Sequence, residues 1–315
     1  MQYPPSSGQS YLLYHPTMDF NMRALYATAL ALFIFLPCSV MAAISPALFE
    51  VSKQGHTSYF FGSVHMGEAR YYPLPSAIEQ RFKQSQRLVM EIDMADESAI
   101  QMEMMQLMMQ HGMYLDGSDL KTHIPSSLYR QTMKTAERLG VPANSIQQLR
   151  PWAVALLIGQ HYYLTMGLDP NWGVDQYFSQ QAIKTGKAIY GLETLAEQIN
   201  AMLAADGEGS SMLQQVLDEA DSSSDYTQRM MTAWEKGNSS ELSAIFSEEL
   251  DDTQADKLFV EHLLLKRNQN WLQQLKPMMK KETLFVVVGA AHLVGPENIL
   301  DSFRQAGYQV KAVSY

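Results

Sequence analysis

An unbroken apolar run, Leu284-Phe285-Val286-Val287-Val288, constrains this chain more than any other stretch. Its length, its valine and phenylalanine content and the glycine that closes it predict a buried strand over 283–288. Beyond Gly289 the chain reads Ala290-Ala291-His292-Leu293-Val294-Gly295. The same order occurs near the other end, where Phe60-Phe61 lead into Gly62-Ser63-Val64-His65-Met66-Gly67. Each copy is a buried strand, then Gly-x-x-His, then another glycine. Glycine lets the backbone turn sharply at a sheet edge. The small residues at 63, 290 and 291 permit a close approach. The histidine then projects from the strand's end, where ligands bind on α/β sheets. His65 and His292 lie 227 positions apart, and the repetition points to one shared site. The competing reading is a pair of satisfied structural histidines.

Further strand-like runs are 48–51, 57–61, 87–93, 187–193 and 308–313. Helical patterns cover 98–110, 126–139, 152–165, 174–184, 194–204, 212–220, 226–236, 240–248 and 254–275. Strands therefore sit at the two ends and near 190, around a helical middle. That order excludes regular βαβ alternation and predicts an α+β fold, a central mixed β-sheet with a large helical layer. Residues 43–315 read as a single domain, because no Pro/Gly/Ser linker divides them. The helix over 98–110 carries Met102, Met104, Met105, Met108 and Met109. Methionine there reads as soft core filling ahead of a cofactor or partner groove.

Two strand ends carry acids: Leu88-Val89-Met90-Glu91-Ile92-Asp93 and Ile189-Tyr190-Gly191-Leu192-Glu193. A carboxylate closing an apolar strand is costly to bury unless it is paired or bound to metal. Strand alternation would put Glu91 and Asp93 on one side and Met90 and Ile92 on the other. Two histidines with one or two carboxylates suit a divalent ion. Manganese, cobalt, zinc and iron are not distinguished by those donors. The metal candidates are His65, His292 and Glu91. The catalytic candidates are Glu91, Arg267 and Glu193, a carboxylate free of metal being able to activate water. For the acids the alternative is a strand-end cap or an ion pair with Arg267 or Arg150. For Arg267 it is oxyanion stabilisation, a carboxylate clamp or a snorkelling surface arginine. Arg150-Pro151-Trp152 reads as a helix start, and Asp175 as a helix cap.

Composition removes other function classes. With 23 Lys+Arg against 33 Asp+Glu the formal charge is -10, a poor basis for binding nucleic acid or anionic lipid. The single cysteine, Cys38, excludes an internal disulfide and Cys-based zinc sites. It lies in a leader-like segment: Arg23, the uncharged run 24–36, then Pro37-Cys38-Ser39-Val40-Met41-Ala42. Residues 1–42 are thus expected to be an N-terminal extension and signal peptide cleaved near Ala42. The mature protein would be periplasmic or secreted and free of thiols. A retained membrane anchor is the alternative. No Gly-x-Ser-x-Gly, P-loop, dinucleotide fingerprint or His-Glu-x-x-His occurs.

Several short motifs run in a recognisable order: Gly62-Ser63-Val64-His65, Met90-Glu91, Arg150-Pro151-Trp152, Gly173-Val174-Asp175, Gly191-Leu192-Glu193-Thr194 with Glu197-Gln198, Arg267-Asn268 and Gly289-Ala290-Ala291-His292. On these the chain resembles the TraB/GumN family, which includes the pheromone-shutdown TraB proteins and the animal Tiki proteases. The resemblance implies an α+β fold similar to the erythromycin-esterase and ChaN-like groups. From the Tiki members it implies a metal-dependent protease working at a membrane surface, with His65, Glu91 and His292 forming the site and Arg267 and Glu193 supporting it. The expected function is a secreted metal-dependent hydrolase, a peptidase, with a peptide or protein substrate and peripheral membrane association. The alternative is a non-enzymatic periplasmic protein that binds a peptide, glycan or haem-like ligand in the same cleft. Oligomeric state has no signature in the sequence.

Overall fold

The structure, a computed structural model, describes residues 44–206, 209–222, 225–248, 250 and 253–315. The expected extension, leader and cleavage point after Ala42 lie outside the described residues.

Six strands form one sheet: β1 (Leu48–Lys53), β2 (His56–Ser63), β3 (Arg87–Met90), β4 (Ala188–Gly191), β5 (Leu284–Gly289) and β6 (Gln309–Ala312). Their order is β4-β3-β5-β2-β1-β6. The first four in that order run parallel, and β1 is antiparallel to both of its neighbours. β1 and β2 join through Gln54-Gly55, both with positive φ, the twist a two-residue hairpin needs. The apolar run at 284–288 becomes β5, inside the sheet, and all five of its residues are buried. The sheet is thus mixed and central, as expected for an α+β fold.

Alternate residues of these strands fill two cores. On one face Phe61, Leu88, Met90, Phe285 and Val287 pack against Phe82, Phe178 and Trp234. On the other, Phe60, Val89, Val286 and Val288 pack against Trp271, Leu275 and Phe303. Helices cover both faces, so the strand interior is dry and its sequence shows no polar alternation. Beyond the sheet, helices Ser126–Arg138, Pro151–Thr165 and Ser210–Asp221 hold a separate core of Leu128, Ile158, Leu213 and Leu217. This is the helical layer.

Two local expectations need correction. β3 ends at Met90, so strand alternation does not carry on to Glu91 and Asp93. Glu91 is buried, while Asp93 is exposed and caps its own turn by accepting from the Ala95 N–H. The methionine helix (Glu97–Leu107) is not simple core filling. Met104 and Met108 pack inward beside Trp152 and Leu195, but Met102 and Met105 are 67% and 66% exposed. At the helical repeat Met104 and Met108, four apart, share one side while Met102, Met105 and Met109, three and four apart, share the other, so one face cannot collect every methionine. Among the described residues no helix is long and apolar enough to cross a membrane.

Phe285 touches the rings of Phe61, Phe82 and Phe178 and is fully buried. Phe285→Ala should destabilise the fold by about 3–5 kcal/mol. A denaturant midpoint unchanged from wild type would show that this core does not hold the sheet.

Candidate active site at the carboxyl edge of the parallel strands

Parallel strands end on the same side, so whatever follows each one meets at a single edge. Just beyond β2 comes His65, beyond β3 Glu91, beyond β4 Glu193 and beyond β5 His292. Ser63 of β2 stands opposite Gly289 of β5, and Met90 of β3 opposite both Val287 and Gly191. Past the strands, the Leu192 and Glu193 N–H groups donate to the Met90 and Glu91 carbonyls. Arg267 arrives from the helix Lys266–Met279, which covers the Phe60 face of the sheet. A π-turn at Val260–Leu265 precedes that helix. Gly173 lets a second helix, Val174–Thr185, approach His65. A Cβ at residue 173 would lie 2.4 Å from the His65 carbonyl oxygen, so only glycine fits.

Arg267 joins the buried groups. Its Nη2 donates to Glu91 Oε2 at 2.6 Å and to Glu193 Oε1 at 2.6 Å. Nε donates to Glu193, 3.0 Å from Oε2. Nη1 donates to the Leu263 carbonyl at 2.9 Å and faces His292 Nε2 at 3.0 Å. These contacts occupy all five guanidinium N–H groups. Arg267 is therefore a carboxylate clamp; the oxyanion and surface readings leave it no donor or no burial. Gln198 Nε2 donates to both acids, and the Gly289 N–H donates to Glu91 Oε1 at 2.7 Å. Trp271 backs the group, its ring 4.4 Å from that of His292 and 4.7 Å from the guanidinium.

The two histidines are held alike. His65 Nδ1 lies 2.7 Å from Asp175 Oδ2, and His292 Nδ1 lies 2.8 Å from Asn268 Oδ1. Asn268 Nδ2 donates to the Glu297 carbonyl, so its Oδ1 is the end that accepts. This places the proton of neutral His292 on Nδ1 and leaves the Nε2 lone pair toward Arg267 and Glu91. The carboxylate of Asp175 assigns the Nδ1 proton of His65 in the same way. Glu91 Oε1 is 3.9 Å from His292 Nε2. A Cβ on Gly289 would stand 3.2 Å from Glu91 Oε1, 3.7 Å from His292 Cδ2 and 3.9 Å from His65 Nε2. His65, Glu91 and His292 thus surround one small gap, floored by a glycine because a side chain would fill it.

The surroundings set the charges. Asp175 beside His65 raises that imidazole to about 9, and His65 is the open member of the group, its side chain 69% exposed. Burial, with help from the Arg267 charge, lowers His292 to about 3 and keeps it neutral. Burial alone would raise Glu91, but His292, Arg267, His65 and the Gly289 N–H outweigh it and bring the carboxyl down to about 2. Burial raises Glu193 despite its bonds to Arg267. Two buried carboxylates on one guanidinium leave excess negative charge.

All five candidates from the sequence come together: His65, Glu91, Glu193, Arg267 and His292. Three partners were not anticipated as such. Asp175 makes no cap bond, since its helix has none from a side chain, and it holds His65 instead. Asn268 and Gln198 orient His292 and the acids. Their only signal was membership in the short motifs Arg267-Asn268 and Glu197-Gln198, which assigns an amide no role because amides carry no distinctive spacing. Arg150 stands apart, over the Tyr114 ring at 4.8 Å and at the start of its helix.

Removing the guanidinium strands two acids in a dry pocket. Arg267→Met should cost about 3–5 kcal/mol, measured by chemical denaturation, and a near-neutral result would refute the clamp. The Glu91 shift has a pH signature too. With a folded value of about 2 against an ordinary 4.5, its contribution is complete above pH 4.5 and is lost as pH falls toward 2. In Glu91→Gln that part of the acid destabilisation should vanish; a stability profile parallel to wild type between those pH values would contradict it.

The TraB/PrgY/gumN family model matches residues 47–312. The uncharacterized protein YbaP of Escherichia coli (strain K12) is 23% identical over 264 residues, 82% of this chain and 92% of YbaP. Metalloprotease TIKI2 of Danio rerio is 22% identical across 81% of this chain and 58% of its own length. The metalloprotease TIKI homolog of Nematostella vectensis is 24% identical across 83% and 66%. No solved structure matches. With its family model spanning all six described strands and all five edge residues, the chain belongs to the TraB/PrgY/gumN family.

Proposed function

We propose that this protein is a secreted or periplasmic metal-dependent hydrolase that cleaves peptide bonds at the strand edge. One observation carries the reading: His65, Glu91 and His292 surround the gap over Gly289, and both imidazoles are tethered through Nδ1 so that Nε2 is the pole turned into the site. Tethered imidazoles beside a carboxylate are the donor set of divalent-metal sites, and the excess negative charge favours a cation. His65, His292 and Glu91 are the residues that would hold it. Among the described residues no three His, Cys, Asp or Glu side chains already stand in metal-holding geometry, and the His292 lone pair faces Arg267 Nη1. That nitrogen and an ion are exclusive partners for the same lone pair. Once bound, a divalent ion would supply Lewis acidity and a more acidic water.

The chain's own groups have distinct tasks. Asp175 keeps His65 oriented at the open side, where a substrate enters. Glu193 and Gln198 fix Arg267 and Glu91, so that the Glu91 carboxylate stays ionised and aimed at the gap. The names of the TIKI relatives support proteolysis; the leader-like segment supports export, and peripheral contact with a membrane is part of the same proposal.

The test is elemental analysis of the purified protein, then peptide-library hydrolysis with and without the metal found. Wild type should hold a divalent ion and cleave peptides. His65→Ala should lose both. Asp175→Ala should keep its fold and bind the ion about 10–100-fold more weakly. No bound ion together with unchanged hydrolysis in His65→Ala would sink the reading. A tightly retained ligand without turnover would favour a binding protein.

A further inference from the structure

Ser63 is 3% exposed, and its Oγ has no hydrogen-bond partner. Other buried hydroxyls do better. Ser58 Oγ accepts from the Leu284 N–H, and Ser85, Thr132 and Thr135 donate to Arg81, Leu128 and Asp221. An orphaned buried hydroxyl costs stability and calls for a reason.

Its place supplies one. Ser63 stands opposite Gly289 in the parallel register of β2 and β5. Phe61 and Val287, two residues earlier and likewise opposite, share one core. By strand alternation the Ser63 side chain and the absent side chain of Gly289 leave the sheet on the same face, about 5 Å apart. On that face, around the place a Gly289 side chain would take, lie Glu91 Oε1, His292 and His65 Nε2. A water needs two to four polar partners, and the Ser63 side of this gap offers the Glu91 carboxylate and one unused hydroxyl.

We infer that Ser63 Oγ is a positioning group that fixes the reacting water on the Ser63 side of the gap, hydrogen-bonded to the Glu91 carboxylate beside the place an ion would take. The inference rests on the hydrolase reading above and adds a residue to its site. The hydroxyl stays unpaired within the protein because its partner is the water.

Kinetics and melting of Ser63→Ala, Ser63→Thr, Gly289→Ala and the double variant Ser63→Ala/Gly289→Ala test it. Ser63→Ala should lose about 10- to 100-fold in kcat with KM unchanged, while its Tm stays level or rises. Ser63→Thr keeps the oxygen and should recover most of the loss. Gly289→Ala puts a methyl into the same gap and should lower kcat as well. Because both changes disturb the same water, the double variant should be little worse than the worse single one. Full kcat in Ser63→Ala, or a loss matched by a lower Tm, overturns the assignment, as does full additivity in the double variant. If His65→Ala is inactive and Ser63→Ala fully active, only this inference fails. If wild type cleaves no peptide, the hydrolase reading fails and takes it along.

Discussion

The five hydrogen bonds of Arg267 are the constraint around which the strand edge is arranged. Two carboxylates in a dry pocket would repel each other and lose their hydration, and each would sooner take up a proton than stay charged. One guanidinium bridging both, with Nε and Nη2 on Glu193 and Nη2 on Glu91, makes their burial tolerable. The remaining Nη1 hydrogens go to Leu263 and His292. A side chain with every donor committed cannot also serve a substrate, so its role is to hold Glu91 ionised and in place.

The sheet explains why these groups meet. Four parallel strands bring His65, Glu91, Glu193 and His292 to one edge, though they are spread over most of the chain. The helices over the two faces then each tether one histidine: Asp175 from the Phe178 side holds His65 and Asn268 from the Trp271 side holds His292. Each histidine is thus tethered by a helix packed on the opposite face from the other's. The asymmetry between them follows from burial. His292 lies under Trp271 and is kept neutral, while His65 is open to solvent beside a carboxylate and is readily charged.

The chain belongs to the TraB/PrgY/gumN family, and it is similar to the metalloproteases TIKI2 of Danio rerio and the TIKI homolog of Nematostella vectensis. YbaP, similar over nearly its whole length, extends the comparison to bacteria. The proposal of metal-dependent peptide hydrolysis rests on donor chemistry at the gap over Gly289 and on the tethering of both imidazoles.

Much of this was legible in the amino-acid order. A valine-rich run ended by glycine can hardly be anything but a buried strand, so β5 and the glycine-histidine turns were readable, and with them His65 and His292. An acid placed directly after an apolar strand must find a partner, which marked Glu91 and Glu193. What the order of residues could not show is which partner. Arg267 serves both acids and not the solvent because its helix packs across the strand ends. Asp175 binds a histidine and caps nothing because Gly173 brings its helix against His65. The gap over Gly289 exists only once β2 and β5 lie side by side in register. Local pattern dictates which residues must leave water or turn the chain; the pairing of charges and the empty space between them depend on distances between residues remote in sequence, and those are set only by packing.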